Sequence, residues 1–163
     1  MDPIDIPEPT LDPAEFNLLV RQLDAENETI SFLLKAHLFS EYHMDRLLAD
    51  YLDEKREPLY RIDLRFHQKL SLIDSFALLP ENSIRSLRAL NKLRNRCVHT
   101  FNTRPTMEDM KEVASAISEF MPDHDSLKTV PEFLKAYMAF LFGFFSAARY
   151  DLKQRKDQQS KNP

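Results

Sequence analysis

"FLKAYMAFLFGFFSAARY", residues 133–150, decides the fold of this chain. The segment is long enough for several helical turns and is apolar nearly all round. A helix without a polar face has to be covered on more than one side, by a bundle or by a second subunit. Its most apolar run, Ala136 to Ala148, falls short of the ~20 residues that cross a bilayer, so it reads as a buried helix with no membrane role. Gly143 at its centre is expected to admit a neighbouring helix closely. The helix is expected from about Pro131 to Gln154, with residues 155–163 as a polar tail.

Upstream the same period recurs. From Glu28 to Asp53, Ile30, Leu33, Leu34, Leu38, Met44, Leu47, Leu48, Tyr51 and Leu52 return every three or four residues, which makes a long helix and the longest hairpin arm. Phe66, Leu70, Ile73, Phe76 and Leu79 mark a helix stopped by Pro80. Asn82 is placed to cap the next, whose stripe of Ile84, Leu87 and Leu90 is broken by Asn91. Thr106 and Asp109 form a capping box for a helix through Met110, Val113, Ile117 and Phe120. Nearer the N-terminus, Asp12 and Pro13 open a helix carrying Phe16, Leu19, Val20 and Leu23, preceded by an acidic, proline-rich arm over residues 1–12. The expectation is one all-α domain, 13–154, an antiparallel bundle of five or six helices with short connections. A single glycine agrees, since sheet proteins need many tight turns.

One cysteine makes no internal disulfide, and the N-terminus shows no basic and apolar leader, so a reducing cytoplasm is expected. A net charge of -4 hides a segregation. From Lys55 to Arg104 there are 11 Lys and Arg against 4 Asp and Glu, and between Glu81 and Glu108 stand Arg85, Arg88, Lys92, Arg94, Arg96 and Arg104 with no acid. A local positive field in an acidic chain suits an anion held at one place, which makes Arg85, Arg88, Lys92, Arg96 and Arg104 candidate phosphate or RNA contacts. The plainer reading is a solvated face answered by acids elsewhere in the fold.

Metal motifs are missing: the histidines at 37, 43, 67, 99 and 124 lack ligand spacing apart from His37 with Glu41, and no metal or cofactor is expected. One glycine rules out phosphate-cradling loops. Cys97 reads as packing rather than as a nucleophile. What remains is "RNRCVH", residues 94–99. Arg94 offers a planar fork of donors and a charge that does not titrate away. His99 can exchange a proton near neutrality. Asn95 precedes His99 by four and can orient the ring or a phosphate oxygen. Arg94 and His99 lie about 140° apart on an ideal helix, so either the helix bends or the long arginine reaches round. Basic residues also favour the last turn of any helix, which supplies a structural explanation of the same residues.

Arg94, Asn95, three residues and His99, at the end of a helix in a small all-helical chain, resemble the R-N-x-x-x-H form of the motif of the HEPN superfamily. The similarity spans about residues 28–150. It implies a helical bundle, usually a homodimer, with two motifs facing each other across a cleft. Many members are metal-independent endoribonucleases acting as toxins, in phage defence or in RNA processing; others are non-catalytic modules that bind nucleotide, RNA or a protein partner. On this resemblance Arg94 and His99 are the catalytic pair, Asn95 supports them, and cleavage leaves 2′,3′-cyclic phosphate ends. Glu41 is a supporting candidate, since such proteins often carry an acid on the first long helix near the motif. A carboxylate in the stripe 30, 34, 37, 41, 44 and 48 needs a partner in any case. A subgroup of the toxins has tyrosine two residues after the histidine, where a nucleotidyltransferase antitoxin modifies it. Phe101 stands there in this chain, which puts that pairing in doubt while leaving room for another antitoxin or regulatory protein. A more distant reading is a regulatory bundle that docks a protein through its acidic arm or basic tail.

Overall fold

The computed structural model describes residues 29–52, 63–100, 104–121 and 126–161. The expected arm and the helix after Pro13 lie outside the described residues, as does Phe101. Five helices are described: α1 Thr29–Leu52, α2 Phe66–Ser75, α3 Glu81–His99, α4 Met107–Ile117 and α5 Val130–Lys161. The chain is an all-α bundle, and no strand occurs among the described residues.

α1 is buried on two sides because α5 covers one flank and α2 with α3 the other. Leu33, Ala36, Met44, Leu47 and Leu48 are fully enclosed, while Leu38 and Tyr42 remain on the outer edge. Each such leucine removed from water contributes about 2 kcal/mol. Contacts give the sense of each pair. His37 meets Phe66, Glu41 and Asp45 meet Lys69, and Tyr51 meets Phe76, so α1 and α2 run in the same direction. α5 also runs with α1, since Lys135 lies over Phe32, Phe142 and Phe145 meet His43, and Arg149 meets Asp50. α3 and α4 are antiparallel: Arg96 pairs with Asp109, and Lys92 one turn earlier with Glu112. α1 therefore forms parallel pairs with α2 and α5 where antiparallel neighbours are expected, and the expected helix before α1, with any hairpin it makes, lies outside the described residues.

Helix ends follow local chemistry. Thr106 and Asp109 form the expected capping box: the Thr106 N–H donates to Asp109 Oδ2 at 2.8 Å, and the Asp109 N–H donates to Thr106 Oγ1 at 3.4 Å. α2 ends at Ser75, short of Pro80, in a Schellman arrangement: the Leu78 N–H donates to the Ile73 carbonyl and the Ala77 N–H to that of Asp74. Ala77 takes the left-handed position at φ 50°, a place glycine usually fills. α3 begins at Glu81 with Pro80 as its N-cap, so Asn82 lies inside the helix and does not cap it. The extended Pro80 (ψ 147°) delivers the chain straight into the first turn, where Glu81 complements the helix dipole.

α5 differs from expectation at two points. It runs past Gln154 to Lys161, because Leu152 is buried, Arg149 pairs with Asp50 and the Lys156 ammonium donates to the Asp50 carbonyl at the end of α1. Gly143 admits no helix among the described residues: it is exposed, and a Cβ built there meets nothing within 4 Å. By length and composition α5 passes as a membrane-spanning helix. Its inner face of Phe133, Leu134, Tyr137, Met138, Leu141 and Phe145 is enclosed by the bundle, as a core helix requires. The Tyr137 hydroxyl, fully buried, meets Ser86 Oγ of α3 at 3.0 Å.

Candidate functional site

α3 carries the motif and is regular to its end: the Thr100 N–H donates to the Arg96 carbonyl at 3.1 Å, continuing the four-residue ladder. The helix therefore does not bend between Arg94 and His99, and their side chains leave it about 140° apart. Arg94 is half-buried. Its Nη1 donates to Asn95 Oδ1 at 3.0 Å, and its Nε is buried with no acceptor. His99 is exposed, and no hydrogen bond joins it to Arg94 or to any other described residue. The structure thus brings Arg94 and Asn95 together and leaves His99 at the helix end without a partner among the described residues.

Arg94 borders a polar seam where α1, α2 and α3 meet. On α1, His37, Glu41 and Asp45 stand one turn apart on one face. Nε2 of His37 lies 3.0 Å from Asn91 Oδ1, a bond from α1 to α3 one turn before Arg94. This contact explains why an amide interrupts the apolar stripe of α3. The His37 ring stacks on Phe66 with centroids 4.2 Å apart. Burial, above all, holds the imidazole below its ordinary pKa; the Asn91 bond and Glu41 oppose that, and the Arg94 and Lys69 charges reinforce it. His37 is therefore neutral at pH 7.

Glu41 finds its partner in Lys69 of α2. The ammonium lies 3.0 Å from Glu41 Oε1 and 2.8 Å from Asp45 Oδ2, with the lysine side chain only 12% exposed. Burial alone would lower the pKa of Lys69; the bonds to Asp45 and Glu41 outweigh it, and the pKa is raised. Arg94 has no carboxylate partner among the described residues.

The other basic candidates divide. Arg88 pairs with Asp74 of α2 at 2.5 Å, Lys92 reaches Glu112 of α4 at 3.0 and 3.2 Å, and Arg96 pairs with Asp109. Arg85 and Arg104 are exposed without a partner among the described residues. The acid-free window in sequence is thus answered in space by α2 and α4. Asp109, which also caps α4, is pulled toward a higher pKa by burial but ends below the carboxylate range, through its bonds to Thr106 and to Arg96. Cys97 is buried, and burial pushes its thiol up despite the opposing Arg96 charge, which makes it a poor nucleophile.

Sequence reading missed His37, Asp45, Lys69 and Asn91 as parts of the seam. The signals were the polar file 37, 41, 45 one turn apart along α1, and the amide at 91 in an apolar stripe. Among the described residues no group of three or more His, Cys, Asp or Glu is disposed to hold a metal ion. Chemically, the arrangement offers an arginine ready to bind an oxyanion, two amides beside it and a solvent-accessible imidazole on the same helix. No family model, curated protein or solved structure matches this chain.

Proposed function

We propose that the protein is a metal-independent endoribonuclease of HEPN type, acting as a homodimer. One observation carries the reading: a half-buried guanidinium with no carboxylate partner among the described residues, its Nε lacking an acceptor, beside the R-N-x-x-x-H motif it begins. A guanidinium so placed is suited to a phosphate, which satisfies several N–H groups at once. In this mechanism His99 takes the proton of a ribose 2′-hydroxyl and the oxygen attacks phosphorus. Arg94 holds the charge growing on the non-bridging oxygens. The imidazolium so formed gives its proton to the leaving 5′-oxygen, giving a 2′,3′-cyclic phosphate and a 5′-hydroxyl. Only RNA has the attacking group.

Within one chain the separation of Arg94 and His99 leaves their meeting to the reach of the arginine. The dimer face we favour is on α5, where Ala139, Gly143 and Ala147 are exposed beside the Phe120, Phe140 and Phe144 cluster; it lies level with the start of α3, so each copy would complete its own site. Such an enzyme is expected in the cytoplasm, as a toxin, a defence factor or an RNA-processing factor under a protein regulator.

The test is mixed RNA in EDTA with the parent, His99→Ala and Arg94→Ala, and identification of the product ends. The parent is expected to cut and leave cyclic phosphate, and each variant to lose at least about 100-fold in rate. Cleavage by the variants at the parent rate refutes the assignment. The second reading, a non-catalytic RNA- or nucleotide-binding module, is favoured by one observation: His99 has no described partner to fix its tautomer. Binding that needs Arg94, without cleavage by the parent, would select it.

A further inference from the structure

Three contacts fix how α2 lies against α3. Near the end of α2, Asp74 pairs with Arg88 of α3 at 2.5 Å. At the start of α2 the His37 ring stacks on Phe66, and Nε2 of the same ring lies 3.0 Å from Asn91 Oδ1 of α3. The two helices are therefore antiparallel and stay together through the first turn of α2. Seven residues make close to two helical turns, so His67 shares the face of α2 that carries Asp74, and Asn95 the face of α3 that carries Arg88. Two turns along from the Arg88–Asp74 pair, the same register sets His67 opposite Asn95. Phe66 and Lys69 turn to α1 instead, which leaves His67 on the α3 side.

We propose that His67 is a further residue of the phosphate site and donates, from across the α2–α3 groove, to the phosphate that Arg94 and Asn95 hold. This rests on the reading of Arg94 as the phosphate-binding group and adds a second wall to its site. The Arg94 Nη1 donates to Asn95 Oδ1 at 3.0 Å, which draws the guanidinium round to the face that looks toward α2. With its oxygen so engaged, the Asn95 amide turns its N–H donors outward. The His67 imidazole is exposed, has no partner among the described residues, and carries an N–H donor in either protonation state. α2 also brings its N-terminal dipole to this place, with no acid in its first turn to offset it. A phosphodiester seated there meets Arg94, Asn95 and His67 together.

The test is a proton NMR titration of the full chain, at low salt in EDTA, with a 2′-O-methyl dinucleoside monophosphate, an uncleavable probe that carries one phosphodiester. The His67 ring signals, identified by their loss in His67→Ala, are expected to move as the probe binds and to stay still in Arg94→Ala at the same probe concentration. Arg94→Ala and His67→Ala should each raise the dissociation constant about tenfold or more, the loss of one charge-assisted contact. His67→Gln, which keeps a side-chain N–H, should bind within about threefold of the parent. His67 is exposed and lies outside the core, so its variants alter the contact and leave the fold intact. If Arg94→Ala weakens binding while His67→Ala does not, or if the His67 signals move equally without Arg94, His67 is not at this phosphate and the proposal is overturned. If the parent does not bind the probe, or does not need Arg94 to bind it, the phosphate reading fails first and takes this one with it.

Discussion

His43 gives the chain a built-in sensitivity to mild acid. The ring is 5% exposed and caged by aromatic side chains, with centroids of Phe39 at 4.4 Å, Tyr42 at 5.2 Å, Phe145 at 5.5 Å and Phe142 at 5.6 Å. Burial first, then the Arg46 and Arg149 charges, lower its pKa from 6.5 to about 4. The unfolded chain therefore binds more protons than the folded one between those values. The stabilisation is complete above pH 6.5 and is lost as the pH falls toward 4. Integrated from pH 7.5 to pH 5, the shift amounts to about 2 kcal/mol of lost stability. Most carboxylates keep their charge over that interval. His37, shifted in the same direction, adds to the loss in the parent and in any variant at position 43. The assay is urea unfolding of the parent and His43→Phe at both pH values, compared at equal slope. The parent should lose about 2 kcal/mol more than the variant between the two. Equal losses in both proteins would refute the assignment of a neutral, caged imidazole.

Two further outcomes follow from backbone positions. Ala77→Gly should raise stability by about 1 kcal/mol, because glycine takes the left-handed turn after α2 without a Cβ penalty; unchanged or lower thermal stability contradicts that turn. Gly143→Ala should also stabilise a single chain by about 1 kcal/mol, since the position is helical and its Cβ meets nothing. If Gly143 lies in the dimer contact proposed above, the same variant weakens association in analytical ultracentrifugation. Unaltered association would move the contact off this face.

Period and caps were legible in the residues. The apolar spacing placed α1 within a residue at each end, and the Thr106 and Asp109 pair named the start of α4. These depend on neighbours three or four apart, which sequence displays directly. The end of α2 was misplaced because an alanine took a glycine position. The last turns of α5 were misread as a tail because their anchor, the Asp50 carbonyl, lies on another helix. The site was legible as residue types only. Arg94, Asn95 and His99 could be named, but which cations are neutralised depends on which helices adjoin. No window of sequence shows Lys92 facing Glu112, or Lys69 taking both Glu41 and Asp45.

The parallel seating of α1 against α5 has a consequence for how the chain is made. The Arg149 and Lys156 contacts to Asp50 close 99 and 106 residues of chain. At ribosomal speeds of about 5–20 residues per second, α1 emerges with one flank bare and waits roughly 5–20 s for the helix that covers it. The α3–α4 hairpin needs no such delay, so assembly is expected to begin in the middle of the chain. A nascent chain cut before Val130 would present an uncovered apolar flank of α1 to chaperones, a hazard set by topology rather than by final stability.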